Sequence, residues 1–245
     1  MRICLAGTAS AFGSQDYGLV RQSPYILESF YYIKPWQFPL IHSCDLFLLD
    51  SGAFTFFSSG RHVDWQDYLQ RYARFVNEQD VEHFFELDID ALVGYDMVLE
   101  MRKYLEQETQ KKCIPVWHVT RGKEDYLRMC DAYDYVAIGG LVSKEMTQKM
   151  QRSFPWFIDR AHASGAKIHG LGFVKQDKLP MYHFDSVDCT SWCSGRFSRT
   201  YIFVGDKVKG VYANTRGKRI KSIDAVNKTS FQEWIKFQKY AEVHL

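Results

Sequence analysis

Two aspartates carry the first chemical signal in this chain. Asp50 ends the apolar run Leu46-Phe47-Leu48-Leu49, and Asp188 lies in Ser186-Val187-Asp188-Cys189. A carboxylate that ends a buried strand stands where α/β barrels keep their chemistry. Two of them supply a nucleophile and an acid/base, the minimum for cleaving a glycosidic bond. Other apolar runs also end on reactive or bare positions. Asp88 and Asp90 close Glu86-Leu87-Asp88-Ile89-Asp90, His118 follows Trp117, Gly139-Gly140-Leu141 follows Ala137-Ile138, and Gly172 closes Gly170-Leu171-Gly172. Glycine at such places lets a ligand approach the main chain closely. Taken singly, each has a plainer role. A strand-end Asp caps helices or forms turns, and a lone His is commonly a structural hydrogen-bonding group. Only a shared rim gives these residues a joint meaning.

The elements that would build such a rim follow from hydrophobic patterning. Strands are predicted at residues 2–6, 26–32, 45–50, 83–89, 114–119, 135–139, 167–172 and 186–190, alternating with amphipathic stretches, with 26–32 also readable as a helix. Asp64 is placed to cap a helix with Trp65, Tyr68, Leu69, Tyr72, Phe75 and Val76 on one face. Val98, Met101 and Leu105 mark a second helix and Leu127 and Met129 a third. A fourth covers about 144–164, restarting at Pro155 and ending at Gly165. Strand–helix alternation argues for a parallel sheet, and eight strands in 245 residues favour a closed (β/α)8 TIM-like barrel. In that architecture every listed strand end faces one mouth. Beyond Trp192 the pattern changes to a hairpin around Gly205-Asp206 and a helix opened by the capping box Ser230-Phe231-Gln232-Glu233. Residues 1–200 are therefore expected to form the barrel, with 201–245 packed on it in the same domain.

Composition bounds the rest. Hydrophobic residues make up 46% and charged residues 24%, as in an ordinary globular domain, and aromatics are high at 16%. Phe54, Phe56, Trp117 and Trp192 are candidates to stack on a flat ligand or to fill the core. The net charge of +2 hides a local excess. Arg196, Arg199, Lys207, Lys209, Arg216, Lys218, Arg219 and Lys221 face a single acid, Asp206, which fits phosphates as well as it fits a solvated surface. Six scattered cysteines do not suggest a disulfide framework, residues 1–6 read as a strand rather than a leader, and no apolar run reaches ~18 residues. A cytoplasmic protein with no membrane association is expected.

The strand-end motifs resemble those of the tRNA-guanine transglycosylase superfamily. Asp50-Ser51-Gly52-Ala53-Phe54 resembles its Asp-Ser-Gly-Gly-Phe motif, Ala137-Ile138-Gly139-Gly140-Leu141 its Ala-Ile-Gly-Gly-Leu motif, and Val187-Asp188-Cys189 its Phe-Asp-Cys motif. Gly170-Leu171-Gly172 stands where the family has a glycine-rich strand end. The resemblance spans about residues 45–200. It implies Asp188 as nucleophile and Asp50 as acid/base. It implies a base pocket formed by Asp88, His118, Gly139, Gly140, Leu141, Gly172, Ser51 and Phe54, with His118 in the place of a glutamine.

The departures narrow the resemblance. The family's zinc run Cys-x-Cys-x-x-Cys with a later histidine is missing. Cys189 and Cys193 have no second pair, so neither zinc nor another cofactor is expected. Ser186-Val187-Asp188-Cys189-Thr190-Ser191-Trp192 and the short tail are most similar to the DNA 7-deazaguanine transglycosylases of phages and bacteria. The implied activity is exchange of guanine in DNA for a 7-deazaguanine such as preQ0 or preQ1, in the host cytoplasm if phage-encoded. Arg196, Arg199, Lys218 and Arg219 would hold phosphates. In a retaining double displacement of this kind the two carboxyl groups lie ~5–5.5 Å apart. Three alternatives stay open: the same exchange on tRNA, a non-catalytic nucleic-acid-binding partner subunit, and a barrel enzyme for an unrelated small molecule. Self-association into a homo-oligomer is also left open.

Overall fold

The computed structural model describes residues 1–52, 55–56, 63–140, 150–173, 175–212 and 222–245. Phe54, Leu141, Arg216, Lys218, Arg219 and Lys221 lie outside the described residues.

Seven parallel strands form one sheet: β1 (Arg2–Ala6), β2 (Tyr25–Ser29), β3 (Leu46–Asp50), β4 (Val116–Trp117), β5 (Tyr135–Ile138), β6 (Lys167–Gly170) and β7 (Ser186–Cys189), in the order β3-β2-β1-β7-β6-β5-β4. The sheet curls into a half-barrel around a small cluster that includes Cys4, Leu27, Leu48, Phe85, Val116 and Ala137. Alternate residues of the same strands, such as Ile3, Ile26, Leu49 and Val187, point the other way into a larger core under the helices. The helices of ten or more residues are α1 (Trp65–Glu78), α2 (Tyr95–Thr109), α3 (Gly122–Ala132), α4 (Phe154–Ala163) and α5 (Ile223–His244). Asp64 caps α1 as predicted, its carboxylate accepting from the Gln66 and Asp67 amides, and Tyr68, Leu69, Tyr72 and Val76 are buried.

The expected strand 83–89 is not a strand. Only two isolated parallel bridges, Leu49↔Phe84 and Phe85↔Ile114, span the gap between the sheet edges β3 and β4. Two features explain this. Pro115 has no N–H to give to a ladder. The next amide, Val116 N–H, donates to the Glu86 side chain (2.8 Å) rather than to a strand carbonyl. The Tyr72 hydroxyl on α1 reaches both Leu49 O (3.1 Å) and Phe85 O (2.9 Å), so a helix side chain holds the gap together. β1 forms over the expected residues, whereas β2 and β6 end earlier than expected, at Ser29 and Gly170, each before a turn.

After the sheet come the hairpin strands β8 (Arg199–Val204) and β9 (Lys207–Tyr212), joined at Gly205-Asp206 as expected. Helix α5 starts earlier than its capping box. Ser222 caps it, and Ser230 and Glu233 lie within it. Their side chains accept from the β8 amides of Tyr201 (3.0 Å) and Phe203 (2.8 Å). Gln176 pairs in the same fashion with Val208 N and O on β9 (2.7 and 3.1 Å). Both hairpin edges are thus blunted by side chains, which suppresses pairing with other chains. Phe231, Trp234 and Phe237 of α5 are buried, and Tyr240 is half-buried. Gln238 donates to Ile3 O (2.7 Å) and Tyr25 O (2.8 Å), pinning α5 to β1 and β2.

Between β1 and β2 sits a buried carboxylate. Glu28 is wholly enclosed and accepts from the Thr8 amide (2.8 Å) and from the Thr8 hydroxyl. Burial, only partly opposed by the Thr8 hydrogen bonds, pushes its pKa from 4.5 up to about 7. Below pH 4.5 Glu28 is protonated whether the chain is folded or not. Between pH 4.5 and 7 the unfolded chain releases the proton and the folded chain keeps it. This group therefore removes stability, on the order of 3 kcal/mol, as pH rises through that window. Glu28→Gln should flatten the fall in melting temperature between pH 4.5 and 7 and be more stable than the parent at pH 8. An unchanged slope would show that Glu28 ionises normally.

Candidate active site

A cavity of about 1210 Å³ opens where the strands end, and Asp50, Asp88, Asp188, His118, Gly140 and Gly172 all line it. The strands deliver these residues from different places. Asp50 is the last residue of β3, and Asp188 lies within β7 opposite Cys4 of β1. Both carboxylates fall on the inward parity of their strands, with Leu48 and Ser186 two positions earlier.

Each carboxylate is held differently. Asp50 accepts from Gly52 N (2.9 Å), in a turn where Gly52 has φ +80°. A Cβ at Gly52 would meet Ser29 Oγ at 2.6 Å and Tyr31 Cβ at 2.7 Å, so only glycine fits. Burial, reinforced by the charges of Asp88 and Asp188 against the pull of the Gly52 amide, raises the Asp50 pKa from 3.8 to about 7. Asp188 accepts from Gly172 N (2.6 Å) and contacts His169 Nε2 (3.2 Å), both through Oδ1. Asp88 faces His118, with Nε2 to Oδ2 at 3.5 Å. Burial lowers the His118 pKa, but the hydrogen bond and charge of Asp88, with Asp90 behind it, outweigh burial and leave it raised above 6.5.

Gly139 makes room for that imidazole. A Cβ there would lie 2.7 Å from His118 Cε1 and 2.8 Å from Val116 Cγ1. Behind the wall, Arg121 grips Asp90 through two nitrogens (2.6 and 2.5 Å) and Glu86 through a third (2.9 Å), while Arg102 takes the other Glu86 oxygen (2.5 Å). Burial opposes ionisation of Asp90, yet Arg121 holds its carboxyl below the ordinary value. Asp90 is thus committed to a structural ion pair. This network also fixes the 86–90 segment that carries Asp88.

Not every sequence candidate meets at the cavity. Ser51 is fully buried and is not among the lining residues; its carbonyl accepts from the Tyr68 hydroxyl (2.5 Å). Trp117 packs on Tyr126 and Phe157, Trp192 on Phe12 and Phe231, and Phe56 on Tyr31, Trp65 and Tyr68. These rings fill the core. The rings that do line the cavity are Tyr32 and Tyr95. Arg196 lines the far wall beside Asp224 and Asn227 from the start of α5. Arg199 is exposed on β8 and is not among the lining residues. Sequence reasoning passed over His169, whose place beside Asp188 is set by cross-strand pairing of β6 with β7 and not by a local signal. Among the described residues, no group of three or more His, Cys, Asp or Glu side chains is arranged to hold a metal ion. Nor is any helix among them long and apolar enough to cross a membrane.

No family model matches the chain. An uncharacterized protein, protein 306, of Sulfolobus islandicus rod-shaped virus 1 is 24% identical over 202 residues, covering 75% of this chain. The match spans 62% of the viral protein's length.

The His118–Asp88 contact can be checked by titration. NMR should place the His118 pKa above 6.5, and Asp88→Asn should bring it below. Gly139→Ala should cost ~1–3 kcal/mol through overpacking and shift the His118 resonances. A His118 titration unchanged in Asp88→Asn would remove Asp88 as its partner.

Proposed function

We propose that this protein is a DNA-guanine transglycosylase that exchanges guanine for a 7-deazaguanine through a covalent aspartyl-nucleotide intermediate. The observation that carries this is the convergence of Asp50, Asp88 and Asp188 with His118 and the Gly139-Gly140 turn on one cavity. The open half-barrel, its edges bridged through Phe84 and Phe85, is compatible with the TIM-like fold of that superfamily, and the cavity lies at the strand ends where such folds keep their chemistry.

The chemistry divides among the carboxylates by environment. Asp188 attacks C1′ of a deoxyguanosine, the C1′–N9 bond breaks, and an ester forms. The leaving guanine takes a proton from Asp50, whose pKa of about 7 keeps it partly protonated at neutral pH. The incoming deazaguanine returns that proton from its N9 to Asp50 and attacks C1′, and the C1′–O bond breaks to release the Asp188 carboxylate. Asp88 accepts from the N1–H and amino group of the base, and Gly139-Gly140 offers backbone groups to its carbonyl edge. A base without those donors leaves Asp88 unpaired, which rejects it.

The cavity exceeds the ~300–1,000 Å³ of a typical small-molecule site, which leaves room for the flanking sugar and phosphates. The target base must be flipped out or presented in a single strand. Arg196 on the cavity wall, with exposed Arg199, Lys207 and Lys209 on the hairpin, suits the backbone charge. The viral relative is consistent with a protein acting inside a host cell.

The test is exchange of labelled guanine in DNA and, separately, in tRNA. Asp188→Asn should abolish exchange and the denaturation-resistant protein–DNA adduct. Asp50→Asn should slow turnover by ~10²–10⁴-fold and remove a limb near pH 7 from the kcat profile. Activity should fall steeply with salt. A normal rate in Asp188→Asn removes the nucleophile, and exchange confined to tRNA reassigns the polymer.

A further inference from the structure

The chemistry above leaves unused a file of buried polar groups beneath Asp188. Tyr135 on β5, His169 on β6 and Ser186 on β7 are all buried, the last two completely. His169 and Ser186 are direct cross-strand partners. Ser186 Oγ lies 2.5 Å from the Tyr135 hydroxyl and 2.5 Å from His169 Nδ1. The other ring nitrogen, Nε2, lies 3.2 Å from Asp188 Oδ1, two residues along β7 from Ser186.

The donors can be ordered. Burial pushes the Tyr135 phenol up, so it keeps its proton, and Ser186 Oγ is its hydrogen-bond partner among the described residues. Tyr135 therefore donates to Ser186, and Ser186 gives its own hydrogen to His169 Nδ1. With Nδ1 accepting, the neutral ring carries its hydrogen on Nε2, aimed at Asp188. Every group then donates once, and the file ends on a carboxylate. The reverse order would require Asp188 to hold a proton and would leave the Tyr135 hydrogen without an acceptor.

The geometry points to His169 as a positioning residue for Asp188. Tyr135 and Ser186 fix its tautomer, and its Nε2–H joins Gly172 N–H in tying down Oδ1. The carboxylate cannot rotate, and Oδ2 is left as the attacking oxygen. The same two donors stabilise the carboxylate when it departs from C1′. The role in attack rests on the base-exchange reading, whereas the tautomer and the two-point grip on Oδ1 do not.

The experiment is ¹⁵N NMR of the histidine-labelled protein, with His169 assigned from the resonances lost in His169→Gln. A neutral ring with its hydrogen on Nε2 is expected at neutral pH, shifting toward the Nδ1–H form in Ser186→Ala. An Nδ1–H ring or an imidazolium in the parent protein overturns the file. In the exchange assay, His169→Leu should lower kcat about 10–100-fold, the worth of one hydrogen bond to a charged group, with KM for the free deazaguanine unchanged. His169→Gln, whose amide can donate to Oδ1, should recover part of the loss. A full rate in His169→Leu, equal loss in both variants, or a loss confined to KM overturns the positioning role. If the parent protein exchanges no guanine at all, the base-exchange reading fails and the NMR result alone decides whether His169 is held as described.

Discussion

Three carboxylates share one cavity, and the rest of the architecture answers to that constraint. Like charges brought together under burial cannot all stay ionised unless each is given a different partner. Asp50 is given backbone amides rather than a cation and is left to hold its proton up to about pH 7. Asp88 is given an imidazole, and Asp188 an amide and an imidazole on the same oxygen. That sorting gives three chemically identical side chains three different environments, which the proposed base exchange would use as acid/base, recognition group and nucleophile. The glycines follow from it. Gly52 and Gly172 turn the chain so that their amides reach carboxylates, and Gly139 leaves the space that His118 fills.

Much of this was legible in the sequence where one simple rule governed the outcome. β3 and β5 are short apolar runs buried on both faces and form close to where hydropathy placed them, as does the buried but half-polar β7. Asp64 caps α1 through the amides of its own first turn, a purely local interaction. The hairpin turn at Gly205-Asp206 was written in local chemistry. The convergence of Asp50, Asp88, Asp188 and His118 was legible only jointly, since strand ends in a parallel sheet share a rim.

Legibility failed where a side chain took over a backbone group's task. Glu86 reads as a strand residue, but it serves as the acceptor for Val116 N–H and as the anion for two arginines. Ser230 and Glu233 have the spacing of a helix cap, yet they satisfy amides of β8 from within a helix. Trp117 and Trp192 look like spare rings for a flat ligand, and only tertiary packing shows them turned into the core. His169 needed its cross-strand neighbour Ser186, remote in sequence, before its orientation had meaning.

The place of β1 in the sheet has a consequence for how the chain comes to be folded. β1 is an inner strand with one partner remote in sequence: Arg2 lies opposite Ser186, and the Ile3 carbonyl also accepts from the Gln238 amide. One flank of β1 therefore stays bare while nearly two hundred further residues are made. Sheet completion must wait for contacts of very long sequence separation, which are slow to form. Until β7 arrives, that flank is an unpaired parallel edge beside Glu28 and Asp50 on strands already able to pair. Such an edge is prone to mispairing until β7 is in place, and the rim of the cavity is completed by the same strand that carries Asp188.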